Sequence, residues 1–170
     1  MEIMKDEDIY KEEQKSILFI ISILVITLFL FNLIHEFGHI IGILLLNAKL
    51  YNMSVGFTIF GPSLQLKVGY NYTMQIIIIA ISGSLFSCLI AIIMSYLSRK
   101  KENYSLGLSS LCVIFNEFIY WCLAYVFKFG DAFVLYLYTS FIIVLAIISF
   151  LGILLIISFR NFIVLNRLSC

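Results

Sequence analysis

Apolar residues gather in four runs long enough to cross a bilayer as helix, which takes about 20 residues. They extend from about Ile17 to Leu46, Met74 to Leu97, Leu106 to Phe127 and Ala132 to Phe159. Arg99-Lys100-Lys101-Glu102-Asn103 makes a tight polar turn between the second and third, and Arg160 stops the fourth. The first run is too long for one perpendicular crossing, which predicts a tilted or projecting helix. Before it, residues 1–15 form a charged tail. The run behind that tail is longer than a signal-peptide core, and no small-residue cleavage site follows it. A retained membrane segment is therefore expected.

The stretch between the first two runs has a different period. Met53, Val55, Phe57 and Ile59 alternate with Ser54, Gly56 and Thr58, and Leu64, Leu66 and Val68 alternate with Gln65, Lys67 and Gly69. Gly61-Pro62-Ser63 separates the two halves, so the pattern predicts a β-hairpin over about 53–69, turning at the chain's only proline. An open sheet edge cannot face hydrocarbon, so the hairpin is expected at a membrane face. The predicted fold is all-α integral membrane, with four transmembrane helices and a small membrane-face hairpin between helices 1 and 2. Residues 16–170 make a single domain.

Composition agrees. Of 170 residues, 62% are hydrophobic and 12% charged, with a mean hydropathy of +1.08. A soluble domain is about half apolar and a quarter charged. This chain has too little polar surface for water, and its expected solvent is a lipid bilayer. The net charge of +1 gives no sign of a nucleic-acid partner. Cys88, Cys112, Cys122 and Cys170 show no CxxC spacing and are expected to act as small hydrophobes.

Chemistry concentrates in His35-Glu36-Phe37-Gly38-His39. Histidines four apart project from one helix face and can share a metal ion. Glu36 is placed to take a proton from a water on that metal and pass it to a leaving amine. The chain's only two histidines are both here, inside an apolar helix where a carboxylate is costly and survives with a partner or a purpose. A catalytic zinc site usually has three protein ligands, and two acids lie elsewhere in apolar sequence, Glu117 and Asp131. Chain parity brings the Lys128-Phe129-Gly130-Asp131 turn back to the face that the first helix reaches. Asp131 is thus the favoured third ligand and Glu117 the alternative. The plainer roles are a helix N-terminal acid for Asp131 and an interhelical hydrogen-bonded carboxyl for Glu117.

With these residues the sequence resembles the site-2 protease family of intramembrane zinc metalloproteases. His35 to His39 match its HExGH form. Ser82-Gly83-Ser84-Leu85-Phe86-Ser87 is similar to its Gly-Pro-x-x-Asn stretch, with Ser84 for the proline and Ser87 for the asparagine. Gly130-Asp131-Ala132 stands where the family has Asp-Gly, with alanine for glycine. The likeness covers about residues 17–140, and the family's PDZ and CBS domains have no counterpart.

The resemblance implies one zinc ion per chain, a membrane-protein substrate helix as partner, and peptide-bond hydrolysis inside the membrane. It further implies that the hairpin edge pairs with an unwound substrate. Asn32, one turn before His35, is a candidate for orienting a ligand, and Asn116 for stabilising an oxyanion. Gly38 and Gly42 make a small face suited to close helix packing.

Eight Lys and Arg (Lys5, Lys11, Lys15, Arg99, Lys100, Lys101, Arg160, Arg167) fall on the tail side and three (Lys49, Lys67, Lys128) on the hairpin side. The positive-inside rule then expects both termini in the cytoplasm, whereas the resemblance implies the reverse. Two other function classes fit the same residues: a catalytically degenerate zinc-binding relative, and a small transporter or channel subunit with Glu117 and Asp131 on a water path.

Overall fold

A backbone in hydrocarbon must satisfy its own N–H and C=O groups, so long apolar runs become helices. The computed structural model describes residues 6–58, 61–69 and 73–168. In chain order these form α1 (Asp6–Leu45), β1 (Lys49–Thr58), β2 (Gly61–Gly69), α2 (Thr73–Lys100), α3 (Tyr104–Val126), α4 (Gly130–Tyr138) and α5 (Phe141–Leu168). Four helical segments are long and apolar enough to cross a membrane: Ile17–Leu45, Thr73–Lys100, Tyr104–Val126 and Phe141–Val164. The chain is a multi-pass, all-α membrane protein with one small two-stranded hairpin.

Three boundaries differ from the sequence expectation. Helix α1 has 40 residues and starts at Asp6, so most of the charged tail is helical. At 1.5 Å per residue it runs about 60 Å, twice a hydrocarbon core, and its charged first turns project beyond the apolar span. The expected fourth run is two helices: α4 has nine residues, too few to cross, and the chain breaks at Thr139 and Ser140 before α5. The Thr139 hydroxyl bonds back to the Leu135 carbonyl at 2.6 Å, satisfying a group that the broken helix leaves open. The reversal in the hairpin is also displaced. Thr58 pairs with Gly61 and Phe57 with Pro62, so Pro62 belongs to β2, and the expected turn at Gly61-Pro62-Ser63 is strand instead. Both strands of a two-stranded ribbon are edges, where a missing N–H need not cost a ladder bond.

Helix ends are closed by a recurring device. Asn47, Glu102 and Lys128 adopt positive φ, at 49°, 51° and 57°. Beyond each, a backbone N–H bonds five residues back: Ala48 to Ile43, Asn103 to Ser98, and Phe129 to Ala124. That is the left-handed helix stop. Asn103 then caps α3, its side chain accepting from the Leu106 N–H.

Helix α3 is the centre of the bundle, with Val113, Ile114, Trp121 and Ala124 fully buried. It packs on α2 and α5, α1 packs on α2 and α3, and α4 fits against α2 and α3. A Cβ on Gly38 would lie 2.7 Å from the Ser82 carbonyl oxygen and 2.9 Å from the Gly83 Cα, so α1 and α2 touch backbone to backbone. The hairpin packs on α1 through β2.

Candidate metal centre

His35 and His39 lie one turn apart on α1, both buried, with ring centroids 4.9 Å apart. The His39 Nδ1–H donates to the Ile79 carbonyl of α2 at 2.6 Å. A carbonyl only accepts, so the proton sits on Nδ1 and Nε2 of the neutral ring carries a lone pair. His35 repeats the arrangement with a carboxylate: its Nδ1 is 2.8 Å from Oε1 of Glu117 on α3.

The two Nε2 atoms therefore face a common point, and Asp131 completes it. Its Oδ2 is 3.0 Å from His35 Nε2 and 3.2 Å from His39 Nε2, while the two nitrogens are 3.2 Å apart. A tetrahedral ion with ligand bonds of 2.0–2.1 Å holds its ligands about 3.3 Å from one another. The donor set, two imidazoles and a carboxylate, suits zinc and matches its spacing. Among the described residues, His35, His39 and Asp131 are the group of His, Cys, Asp and Glu close enough to share an ion. Gly83 supplies room: a Cβ there would lie 2.6 Å from His39 Nε2 and 2.8 Å from His35 Nε2, against both donor atoms.

Asp131 is delivered by an unusual turn. Lys128 and Gly130 both have positive φ, and Gly130 packs on the Tyr120 hydroxyl so tightly that any side chain there would strike it. Asp131 then stands in the first turn of α4. Its N–H donates to the Tyr120 hydroxyl at 3.3 Å, and that hydroxyl donates to Oδ2 at 3.4 Å. The Tyr120 ring also meets His35 edge-on, with centroids 5.6 Å apart.

Of the residues singled out from sequence, His35, His39 and Asp131 converge. Glu117 meets the far nitrogen of His35 instead of the converging side. Glu36 is half-buried and follows His35 on α1, about 100° around the helix. Asn32, one turn before His35, and Asn116, directly before Glu117, are half-buried too.

The sequence reading missed the Ile79 carbonyl, Tyr120 and Trp121, and met Gly83 and Ser84 only within a motif, Ser84 as a departure from it. The Trp121 indole N–H donates to Ser84 Oγ at 2.6 Å, and the Ser84 hydroxyl donates to Glu117 Oε2 at 2.7 Å. Gly83 had a signal, since the Gly38 and Gly42 face on α1 requires a small counterpart. The aromatic pair had none. Compared with protein-family models, curated proteins and solved structures, the chain matches none of them.

Proposed function

We propose that the chain is an intramembrane zinc metalloprotease, with His35, His39 and Asp131 as ligands, Glu36 as general base, and a membrane-protein helix as substrate. The observation that carries this reading is the meeting of His35 Nε2, His39 Nε2 and Asp131 Oδ2 at 3.0–3.2 Å. Partners on the opposite ring nitrogens leave three acceptors facing one another in a buried site, an arrangement that calls for a cation. Ionisable groups within a membrane span survive where they have such a purpose.

Zinc bound there supplies an acidified water and a polarised peptide carbonyl. Glu36 would be the carboxylate that accepts a proton from the attacking water and passes it to the leaving amine. The hairpin contributes recognition: β1 and β2 both offer an edge to which an unwound substrate segment can add as a strand. Charge distribution sets the orientation of the proposal, with both termini cytoplasmic. Labelling of Cys170 by an impermeant reagent added outside intact cells would overturn that orientation.

One observation favours a second reading. Each contact of the cluster is also within ion-pair range, 2.8 Å for His35–Glu117 and 3.0 and 3.2 Å for Asp131 with the two histidines. Protons alone can hold such a group together in a small transporter or channel subunit. A third, a relative that binds zinc without cutting, rests on Ser84, Ser87 and Ala132 in the motifs.

Purified protein is expected to hold one zinc per chain, lost in His35→Ala and His39→Ala. Cleavage of a model transmembrane substrate is expected to vanish in Glu36→Gln with zinc retained. Absence of zinc favours the proton-held cluster, zinc without cleavage favours the non-cutting relative, and normal cleavage by Glu36→Gln sinks the assigned base.

A further inference from the structure

We infer that Trp121, Ser84 and Glu117 form a one-way hydrogen-bond chain that fixes the tautomer and aim of His35, so that Glu117 is a positioning residue and not a metal ligand. The inference rests on the metal reading of the preceding section, and deepens it.

The sense of each bond follows from chemistry at the far end. An indole N–H only donates, so Ser84 Oγ accepts from Trp121 across 2.6 Å. The serine then spends its own proton on Glu117 Oε2, 2.7 Å away. With Oε2 engaged, Oε1 faces His35 Nδ1 at 2.8 Å and accepts from it. The proton of His35 is thus held on Nδ1, and the lone pair of Nε2 points at Asp131 and His39. A serine hydroxyl can act both ways, and the tryptophan removes its choice.

Three helices meet in this chain. His35 comes from α1, Ser84 from α2, and Glu117 with Trp121 from α3, four residues apart and therefore on one face. Trp121 is fully buried, and Ser84 and Glu117 are each 3% exposed. A carboxylate in an apolar helix needs occupied oxygens, and both oxygens of Glu117 are occupied by donors on neighbouring helices. Its side chain bonds the nitrogen of His35 that turns away from the converging group, so it has no free reach to the ion. Orientation of a metal-binding imidazole by a carboxylate on its other nitrogen typically contributes about 10–100-fold in metal affinity. His39 obtains the same service from a backbone carbonyl, which no side-chain change removes. His35 alone depends on side chains, and Ser84, in sequence terms a substitution for proline, is what links them.

The test measures zinc affinity of the full purified chain by chelator competition, with the absorption spectrum of the cobalt-loaded protein as a second readout. Glu117→Gln is expected to weaken zinc by about 10–100-fold with one site per chain retained, and to shift the cobalt bands. Ser84→Ala is expected to weaken it less, and Ser84→Ala combined with Glu117→Gln no more than Glu117→Gln alone, as links of one chain do. Glu117→Asp is expected to recover part of the affinity.

A parent that binds no zinc overturns the metal reading itself. A parent that binds zinc, with Glu117→Gln and Ser84→Ala equal to it in affinity and spectrum, overturns the chain alone. A folded Glu117→Gln with no zinc site makes Glu117 a ligand and likewise overturns it. Should Glu117→Gln fail to fold, Ser84→Ala decides by the same two readouts.

Discussion

Helix α1 is apolar over the whole of its span, yet its two halves behave differently. From Ile17 to Leu30 nearly every large side chain is exposed: Leu18 is 64% accessible, Val25 60% and Ile26 58%. Among the described residues, this half reaches another helix by hydrogen bond at Thr27, which meets Ser109 on α3 at 3.0 Å. From Phe31 onward a stripe turns inward, with Phe31, His35, Gly38, His39, Gly42 and Ile43 buried at helical spacing. Hydrophobicity does not distinguish the halves, because lipid is as apolar as leucine and gives no reason to hide one. Small residues and polar groups do. The glycines let α2 come to backbone contact, and that approach brings the Ile79 carbonyl and Gly83 against the imidazoles. Within α1, close packing falls on the half that carries the candidate chemistry.

The strongest way to break the comparison is to fill the space at the site while leaving its ligands alone. Gly83→Ala puts a methyl 2.6 and 2.8 Å from the two Nε2 atoms. It is expected to weaken zinc by more than the roughly 10–100-fold that loss of an orienting partner costs. Equilibrium dialysis checks it, and parent-like affinity would show that the imidazoles meet their ion elsewhere. Next comes Gly38→Ala, whose methyl would meet backbone of α2 and the Cβ of Phe86 at 2.7–2.9 Å. Forced separation of α1 and α2 is expected to cost about 1–3 kcal/mol in an unfolding titration in detergent, with zinc affinity falling alongside. Gly42→Ala should cost less, since the atoms it meets most closely belong to the small side chain of Ser82.

Gly130→Ala tests the other arm of the site. Its φ of +60° is strained for any residue with a Cβ, by about 1–2 kcal/mol, and the methyl would press on the Tyr120 hydroxyl that holds Asp131. Stability is expected to fall by that amount and zinc affinity with it. If stability falls and affinity holds, the turn is needed for folding but does not aim the carboxylate.

Much of this was legible before any coordinates. Apolar runs gave the four crossings, the i, i+4 spacing gave the paired imidazoles, and counting crossings brought Asp131 to the right face. What stayed hidden has identifiable causes. The break at Thr139 and Ser140 carries neither proline nor glycine, so an apolar run seemed to continue through it. Lys11, Glu12, Glu13, Gln14 and Lys15 are good helix formers, and polarity alone does not stop a helix that an apolar span extends. In the hairpin, Gly61-Pro62 was a strong turn signal, but pairing register decides where a ribbon reverses. Glu117 was visible as a buried acid with two possible roles. Choosing between them required knowing which ring nitrogen it meets, a fact of rotation about α1 and α3 that spacing along one chain does not contain.

The smallest expected effect sharpens the contrast most. Thr27→Val removes the bond from the outer half of α1 to Ser109 on α3 and keeps the shape of the side chain. Hydrogen bonds between membrane helices average about 0.6 kcal/mol, so the loss is expected near that figure, with zinc affinity equal to the parent. Val25→Ala, on the exposed side, should change less still. Thr27 lies eight residues from His35, about 12 Å along the helix, far enough for separate sites to add. The combined variant Thr27→Val with Gly38→Ala is therefore expected to lose the sum of the two single losses. A combined loss well beyond that sum, or a fall in zinc affinity from Thr27→Val alone, would mean that the outer half helps to hold the stripe in register and that α1 acts as one rigid unit.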